Sequence, residues 1–305
     1  MTPKKFLISV LCIAVLVIGM THAWAAQEDV SPQAISTQED DGSAGQAGVE
    51  QATPTQEDSS GGQAATSLDP RALDMLKLMS DKLSQAKSLR FEARSMVPIK
   101  SPNGTWISLY GTSRVVKEGS DKLFAETRGD FFPYDFYFDG KVITAYSPTK
   151  NLYAEKAAPG TVDSVIEAAY REEGKSFPYA DILVAQPYNV LTEGLVKAAY
   201  VGQSTLRPLS GGEGVKTDHL VFSHEGVEWQ IWIDTEDRLP RMVCATYLDN
   251  VGEPSYTVEF GDWKLDEPVS PETFLFQDTS QAEQVEFRNP MQQGRGVLSG
   301  AADKQ

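Results

Sequence analysis

One stretch of the chain, residues 226–248 (GVEWQIWIDTEDRLPRMVCATYL), constrains the fold more than any other. Apolar residues recur at every second position on both sides of the acidic turn 234–238, and this period predicts the two strands of a hairpin. Pro240 stands at the start of the returning strand, where its missing N–H is tolerated. Because a hairpin with one apolar face is not stable alone, we expect more sheet beside it and an apolar layer against it.

The rest of the chain supplies that sheet and that layer. A helix is predicted over 70–87, capped by Asp69 and started by Pro70. Two further helices are predicted over 161–173 and 179–184, and Pro187 is expected to end the second. Strands other than the hairpin are predicted at 89–97, 105–117, 122–128, 134–138, 142–146, 152–156, 195–207, 215–224 and 255–263, with short edge segments at 274–276 and 285–287.

Six consecutive strands without a crossover helix favour an antiparallel sheet. About eleven such strands are too many to lie flat, so we expect the sheet to curve. The predicted fold class is therefore mainly β with helices (α+β). In this fold a curved antiparallel sheet of about eleven strands forms a half-barrel, plugged by the N-terminal helix and the mid-chain helical insertion.

The ends of the chain differ in composition from this body. Residues 1–25 have two early lysines, an apolar run of about 15 residues and an A-x-A site, as in a cleaved signal peptide that directs a protein to the periplasm. The run is shorter than the ~20 residues of a spanning helix. We expect a disordered acidic linker at 26–67, a folded domain at 68–288 and a flexible tail at 289–305. The mature protein is accordingly predicted to be exported and not membrane-spanning.

The net charge of the chain disfavours some classes of partner. The chain carries a formal charge of −16, from 27 basic and 43 acidic residues, which disfavours nucleic acid and anionic membrane surfaces. Beyond the predicted leader there is one thiol, Cys244, so no intrachain disulfide is expected.

The sequence gives little support for catalysis or metal binding. It contains no G-x-S-x-G, H-E-x-x-H, P-loop or C-x-x-C motif, and we predict neither enzyme activity nor a cofactor. His219 and His224 are five residues apart on one strand and should face opposite sides. Cys244 is expected on the buried face as a small apolar residue, with a catalytic thiol beside His219 as the open alternative.

Two polar groups leave further alternatives open. Asp234, Glu236 and Asp237 carry ligand atoms that suit calcium, but they lack the regular spacing of a dedicated loop, so a solvated turn is preferred. Arg207 and Arg241 are candidates for an anionic head group, although surface pairing is the commoner use of arginine.

Several segments resemble a known family. They are the leader, Asp69-Pro-Arg-Ala, Phe177-Pro-Tyr-Ala-Asp-Ile-Leu, Ala199-Tyr-Val-Gly, Asp218-His-Leu-Val-Phe, Val227-Glu-Trp-Gln-Ile-Trp-Ile, Leu239-Pro-Arg and Trp263. Over roughly Leu68 to Arg288 the chain resembles a family of predicted periplasmic proteins of unknown function. That family is related in fold to the periplasmic lipoprotein carriers, half-barrels whose apolar cavity holds acyl chains. The resemblance implies a carrier-like fold, and no binding residue is carried over from it.

Two functions are compatible with this pattern. The first is a non-catalytic periplasmic binding or carrier protein that holds a lipid, acyl chain or lipoprotein in an apolar cavity. Its candidate lining residues, chosen from apolar faces alone, are Trp106, Tyr110, Phe136, Phe138, Val165, Ile166, Leu183, Trp229 and Ile231. The alternative is a periplasmic scaffold or protein-interaction module whose cavity is filled by its own helices.

Overall fold

The computed structural model describes residues 67–101, 103–130, 133–173, 179–208 and 211–287. The side chains of 169–173, at the end of a helix, are excepted. The predicted signal peptide, all but the last residue of the predicted linker and the predicted tail lie outside these ranges.

The strands and helices follow one another in nearly the predicted order. The strands are β1 (Ser67–Leu68), β2 (Ser88–Lys100), β3 (Trp106–Glu118), β4 (Lys122–Gly129), β5 (Tyr134–Phe138), β6 (Val142–Ser147), β7 (Leu152–Ala157), β8 (Lys197–Leu206), β9 (Val215–His224), β10 (Val227–Asp234), β11 (Pro240–Tyr247), β12 (Ser255–Leu265) and β13 (Glu283–Gln284). The helices are α1 (Pro70–Gln85), α2 (Val162–Glu173), α3 (Ala180–Leu183) and α4 (Pro187–Thr192), and a 3-10 turn covers Pro271–Phe274.

All these strands join one curved, unclosed sheet, in the order β1-β8-β9-β10-β11-β12-β2-β3-β4-β5-β6-β7-β13. The eleven strands from β2 to β12 pair antiparallel, which confirms the predicted fold class. Two-residue strands, β1 and β13, pair in parallel with the edge strands β8 and β7. Strands that are distant in sequence, such as β2 and β12, thereby become neighbours at the centre of the sheet.

The sheet has one face packed under helices, here called the inner face, and an opposite outer face. In β2 the odd-numbered residues Leu89, Phe91 and Ala93 are buried on the inner face, whereas Glu92 and Arg94 are exposed on the outer face. Strand pairing carries this alternation from β8 to β7. One apolar cluster therefore lines the inner face along the sheet and includes buried residues of all four helices.

Local chemistry fixes where the helices begin. Asp69 caps α1, accepting a hydrogen bond from the N–H of Arg71 at 2.9 Å, and its second carboxylate oxygen accepts one from Tyr200 of β8 at 3.1 Å. These bonds lower the pKa of Asp69. Thr161 and Ser164 exchange hydrogen bonds of 3.2 and 2.9 Å at the start of α2. Asp69 thus ties the start of α1 to β8, and Thr161 with Ser164 fixes the start of α2.

One expectation about the helices was wrong. Pro187 does not end a helix but begins α4, where it occupies the first turn. A proline costs nothing there because the first N–H groups of a helix have no internal partner.

Candidate ligand-binding site

Seven of the nine residues predicted to line a cavity lie together on the inner side. They come from two distant parts of the sheet and from two helices, and each is at most 9% exposed: Phe136, Phe138, Val165, Ile166, Leu183, Trp229 and Ile231. Phe136 and Phe138 belong to β5, Trp229 and Ile231 to β10. The inner face thus brings into one apolar cluster residues that the chain separates by almost 100 positions.

The other two, Trp106 and Tyr110, lie elsewhere. Both are on the even-numbered positions of β3, which pair with Lys100 and Met96 and face outward. The indole N–H of Trp106 donates to the carbonyl of Val251 at 2.7 Å, and Tyr110 is 40% exposed. The structure does not bring them to the inner cluster, because β3 presents its odd-numbered residues to the helices.

Aromatic rings cover the centre of the inner face. The ring of Phe91, on β2, is 5.6 Å from Phe260 and 4.6 Å from Trp263 on β12. Tyr179 enters from the helical side, edge-on to Phe91 at 5.5 Å and to Phe260 at 6.1 Å. Its backbone adopts a positive φ of 58° just before α3, an uncommon conformation that directs the ring towards the sheet.

Several hydroxyl groups lie next to these rings. Burial raises the pKa of Tyr179 and of Tyr134, and the nearby hydroxyls of Ser113 on β3 and Thr127 on β4, respectively, oppose that effect. Ser113 and Thr127 are themselves 3.1 Å apart, oxygen to oxygen. The inner face is therefore not uniformly apolar, because one region of it carries a hydrogen-bonded pair of hydroxyls with two tyrosines nearby.

Two other polar groups, those of Tyr256 and Asp181, lack a hydrogen-bond partner among the described residues. Tyr256 is 2% exposed, and its hydroxyl has no hydrogen-bond partner in the described part of the chain. Asp181, in α3, has no hydrogen bond or ion pair with any described residue, and burial raises its pKa to about 6. Burial, together with the nearby Tyr179, Tyr247 and Asp181, raises the pKa of Tyr256. Sequence reasoning missed both groups, since an acid in the first turn of a helix is an ordinary feature.

Polar bonds hold the helices to one another. The N–H of Tyr188 in α4 donates to the hydroxyl of Ser80 in α1 at 2.8 Å. The N–H of Ala185, between α3 and α4, donates to the carboxylate of Asp163 in α2 at 3.0 Å. Asp163 also lies near Lys117 on the inner face, whose pKa is lowered by burial. The four helices thus form a cross-linked cover over the inner face.

The residues considered for chemistry have structural partners. His219 faces outward, stacked 4.1 Å from Trp232 and 2.9 Å from the side-chain oxygen of Gln230, whereas His224 faces inward. The prediction that the two histidines point to opposite sides is confirmed. Cys244 was expected on the buried face, but it is partly exposed on the outer face, where Thr257 donates to its sulfur at 3.6 Å. The expectation was wrong because Ala245, not Cys244, takes the inward position of β11.

The acidic turn is held by protein groups. Asp234 accepts from the N–H of Glu236 at 2.8 Å and from the guanidinium of Arg241 at 2.8 Å, which lower its pKa against the opposing effect of burial. Asp237 also pairs with Arg241. Among the described residues no group of three or more histidines, cysteines or acids is arranged to hold a metal ion.

Two surface cavities contain arginine. Arg207 and Arg241 line a small one of about 190 Å³, together with Met242 and Phe260. A larger groove of about 480 Å³ crosses β2, β3 and β4 on the outer face. Its arginines are paired, since Arg114 lies 2.7 Å from Glu126 and Arg128 lies 2.6 Å from Asp135.

Comparison with known proteins places the chain in a family. The model of the family described as predicted periplasmic protein (DUF2092) matches residues 72–288. The chain belongs to this family. The protein is periplasmic, as its leader predicts. No helix in the described ranges has the length and apolar character needed to cross a membrane.

Solved structures that match part of this chain come from several bacteria. An uncharacterized conserved protein from Thermus thermophilus is 11% identical, with 71% of this chain and 97% of that one covered and a TM-score of 0.38. LprF from Mycobacterium bovis is 10% identical, with 67% and 97% covered and a TM-score of 0.38. A putative outer membrane lipoprotein-sorting protein domain from Vibrio parahaemolyticus is 9% identical, with 67% and 96% covered and a TM-score of 0.31. No curated protein matches the chain in sequence.

Proposed function

We propose that the protein is a non-catalytic periplasmic binding or carrier protein that holds a lipid or acyl chain, free or on a lipoprotein, against the inner face of its sheet. The observation that carries this proposal is the convergence of seven predicted lining residues from β5, β10, α2 and α3 in one apolar cluster. An acyl chain suits such a surface because apolar burial stabilises by about 25 cal/mol per Å² without requiring directional partners.

The attachment of the helical cover supports an opening movement. Hydrogen bonds such as Ser80–Tyr188 and Asp163–Ala185 join helix to helix, so the cover is able to move as a unit. Its contact with β5 and β10 is largely apolar, and apolar contacts tolerate displacement better than directional bonds do. A ligand would take the place of those helix contacts.

A scaffold or protein-interaction module is the second candidate, and one observation favours it. Phe138, Trp229 and Ile231 are at most 1% exposed, as expected where the helices themselves fill the inner face. In that case the helices do not leave, and the protein acts through its outside surface.

Extraction of the purified protein separates the two. The protein is exported with its own leader, purified from the periplasm without detergent, extracted with chloroform and methanol and examined by mass spectrometry. A carrier yields a lipid at a stoichiometry near one. A protein that is reproducibly empty and binds no neutral fluorescent acyl probe contradicts the proposal and supports the scaffold.

Matched variants locate the site. Ile166→Trp on α2 adds bulk inside the apolar cluster and is expected to weaken probe binding, whereas Tyr110→Ala on the outer face is expected to leave it unchanged. Urea unfolding followed by tryptophan fluorescence checks that both variants fold. Equal loss of binding in the two variants would argue against an inner-face site.

A further inference from the structure

The free end of the β2–β3 hairpin carries an inference that does not depend on the acyl-chain site. We propose that this end docks the protein on a phospholipid membrane by shallow insertion of its apolar side chains. The segment, called here the hairpin arm, comprises residues 96–101 and 103–110. Docking of this kind places only the arm in the layer of lipid head groups and leaves the rest of the chain in water.

The arm extends past the strands on either side of it. Among the described residues, the pairing of β2 with β12 stops at Met96, and the pairing of β3 with β4 stops at Gly111. Beyond these points β2 and β3 continue to pair with each other as far as Lys100 and Trp106. At about 3.3 Å per residue, the arm reaches roughly 13 Å past its last partner on β12. Its side chains are therefore presented beyond the flanking strands.

Large apolar side chains are exposed on both faces of the arm. Met96 (51% exposed) and Tyr110 (40%) are on the outer face, and Ile107 (44%) is on the inner face. With Leu248 and Val251 of the adjoining loop, they make five of the nine large apolar side chains exposed in the described ranges, so this exposure is concentrated at one end of the sheet. Concentrated apolar exposure marks a docking site for a protein or a membrane. A protein partner covers one face of a strand pair, whereas lipid surrounds both, and the distribution therefore favours a membrane.

Trp106 and Lys100 are arranged as the boundary between water and lipid requires. The indole N–H of Trp106 already donates to the carbonyl of Val251 at 2.7 Å, so the ring is able to enter an apolar layer without an unpaired donor. The ammonium group of Lys100 lies 5.8 Å from the centre of that ring. Its long stem allows the charge to stay at the level of the phosphates while the methylene groups are buried. Tryptophan and tyrosine are enriched at this level because they combine an apolar body with a polar atom.

Local charge distinguishes the arm from the rest of the protein. The chain has 43 acidic residues among 305, yet residues 93–117 contain none and include Arg94, Lys100, Arg114 and Lys117. Anionic lipid phosphates repel the acidic body and attract basic residues close to the surface. Approach through the arm brings the acid-free part of the chain nearest to the phosphates, which restricts docking to this end.

Neighbouring carboxylates limit the depth of insertion. Asp249 and Glu253 are two residues from Val251 on either side, and Asp130 accepts a hydrogen bond from the N–H of Tyr110 at 2.9 Å. A carboxylate is too costly to bury in hydrocarbon, so these groups stay in water and only the apolar side chains beside them enter. The arrangement fits a shallow and reversible attachment.

Flotation with lipid vesicles tests the proposal. The mature full chain is mixed with vesicles of phosphatidylcholine, alone or with added phosphatidylglycerol, and the bound fraction is measured at several lipid concentrations. We expect the chain to float with both kinds of vesicle. A chain that floats with neither overturns the proposal.

Matched variants assign the binding to the arm. Ile107→Ser should weaken binding to both kinds of vesicle about tenfold, whereas Val201→Ser, at a position 56% exposed on β8, should leave it unchanged. Lys100→Gln should weaken binding about fivefold, and only where phosphatidylglycerol is present. Lys82→Gln, at an exposed position in the last turn of α1, should change nothing. Urea unfolding checks that the variants fold, and equal effects of Ile107→Ser and Val201→Ser overturn the assignment to the arm.

A fluorescent label reads insertion directly. An environment-sensitive dye on Ile107→Cys, in a Cys244→Ser background, should emit at shorter wavelength on vesicles and be protected from iodide, whereas the same dye on Val201→Cys should not. Size-exclusion chromatography examines the competing partner, a second protein surface. If Ile107→Ser abolishes self-association and leaves vesicle binding unchanged, the arm is a protein interface and the membrane proposal is overturned. Neither outcome alters the expected capture of an acyl probe on the inner face, so the carrier proposal is tested separately.

Discussion

The indole N–H of Trp229 donates a hydrogen bond to Nδ1 of His224, 3.2 Å away across the β9–β10 pair. Because an indole N–H only donates, the imidazole accepts at Nδ1 and is neutral there. Burial lowers the pKa of His224, against a smaller opposing effect of the nearby backbone of Leu191 in α4.

This relationship predicts a loss of stability in mild acid. Because the folded-state pKa of His224 is lowered below its unfolded value, the unfolded chain binds the proton more readily, and stability falls as the pH drops through about 6.5. His224→Gln should remove this component. Urea unfolding of both proteins at several pH values between about 7.5 and 5 measures it; parallel profiles would mean that His224 is not held neutral.

The carboxyl group of Asp181 predicts the opposite dependence of stability on pH. Its folded-state pKa is raised to about 6, so its contribution to stability is present below its unfolded pKa and is lost as the pH rises through 6. Each unit of difference between the folded-state and unfolded-state pKa is worth about 1.4 kcal/mol. Asp181→Asn should therefore stabilise the protein at neutral pH by up to about 3 kcal/mol. The gain should shrink towards pH 4 in urea unfolding of the ligand-free protein. A destabilised variant at neutral pH would mean that the carboxylate has a favourable partner.

The partly buried ion pair between Arg241 and Asp234 predicts a large loss of stability when the arginine is replaced. The side chains of Arg241 and Asp234 are 16% and 7% exposed, so Arg241→Met leaves a buried carboxylate without its cation and should cost about 3–5 kcal/mol. Lys77→Met removes one partner of an exposed pair with Asp81, 55% and 44% exposed, and should cost less than about 1 kcal/mol. Equal free energies of unfolding for the two variants would contradict this assignment.

Removal of the hydrogen bond between α1 and α4 is expected to destabilise the protein locally, around α4. Ser80→Ala leaves the N–H of Tyr188 without its partner and should cost about 1–3 kcal/mol. Hydrogen exchange of the Tyr188 amide should accelerate more than exchange in β9 or β10. Ser84→Ala is the matched control, because the Ser84 hydroxyl bonds to a carbonyl within α1 and is exposed. Uniform acceleration throughout the protein would show that the bond does not act locally.

The strands were the most predictable part of the fold. Residues 134–138 and 215–224 match their strands to the residue, since alternating residues bounded by turns specify a strand locally. Pro187 was misinterpreted because proline is equally suited to follow one helix and to begin another.

The site was less predictable. Trp106 and Tyr110 alternate correctly within β3, but both faces of that strand are apolar, and only packing decides which one the helices cover. Asp181 and Tyr256 are 75 residues apart, one in α3 and the other in β12. No local pattern marks either of them.

The sheet ends at β1 and β13 instead of joining its own first strand. A closed barrel has a radius fixed by its strand number and stagger. An open sheet is free to widen or tighten through small changes of twist at each strand pair, with every inter-strand hydrogen bond retained. The sheet is therefore able to follow small changes in the width of the layer packed on its inner face by elastic deformation spread over its strand pairs.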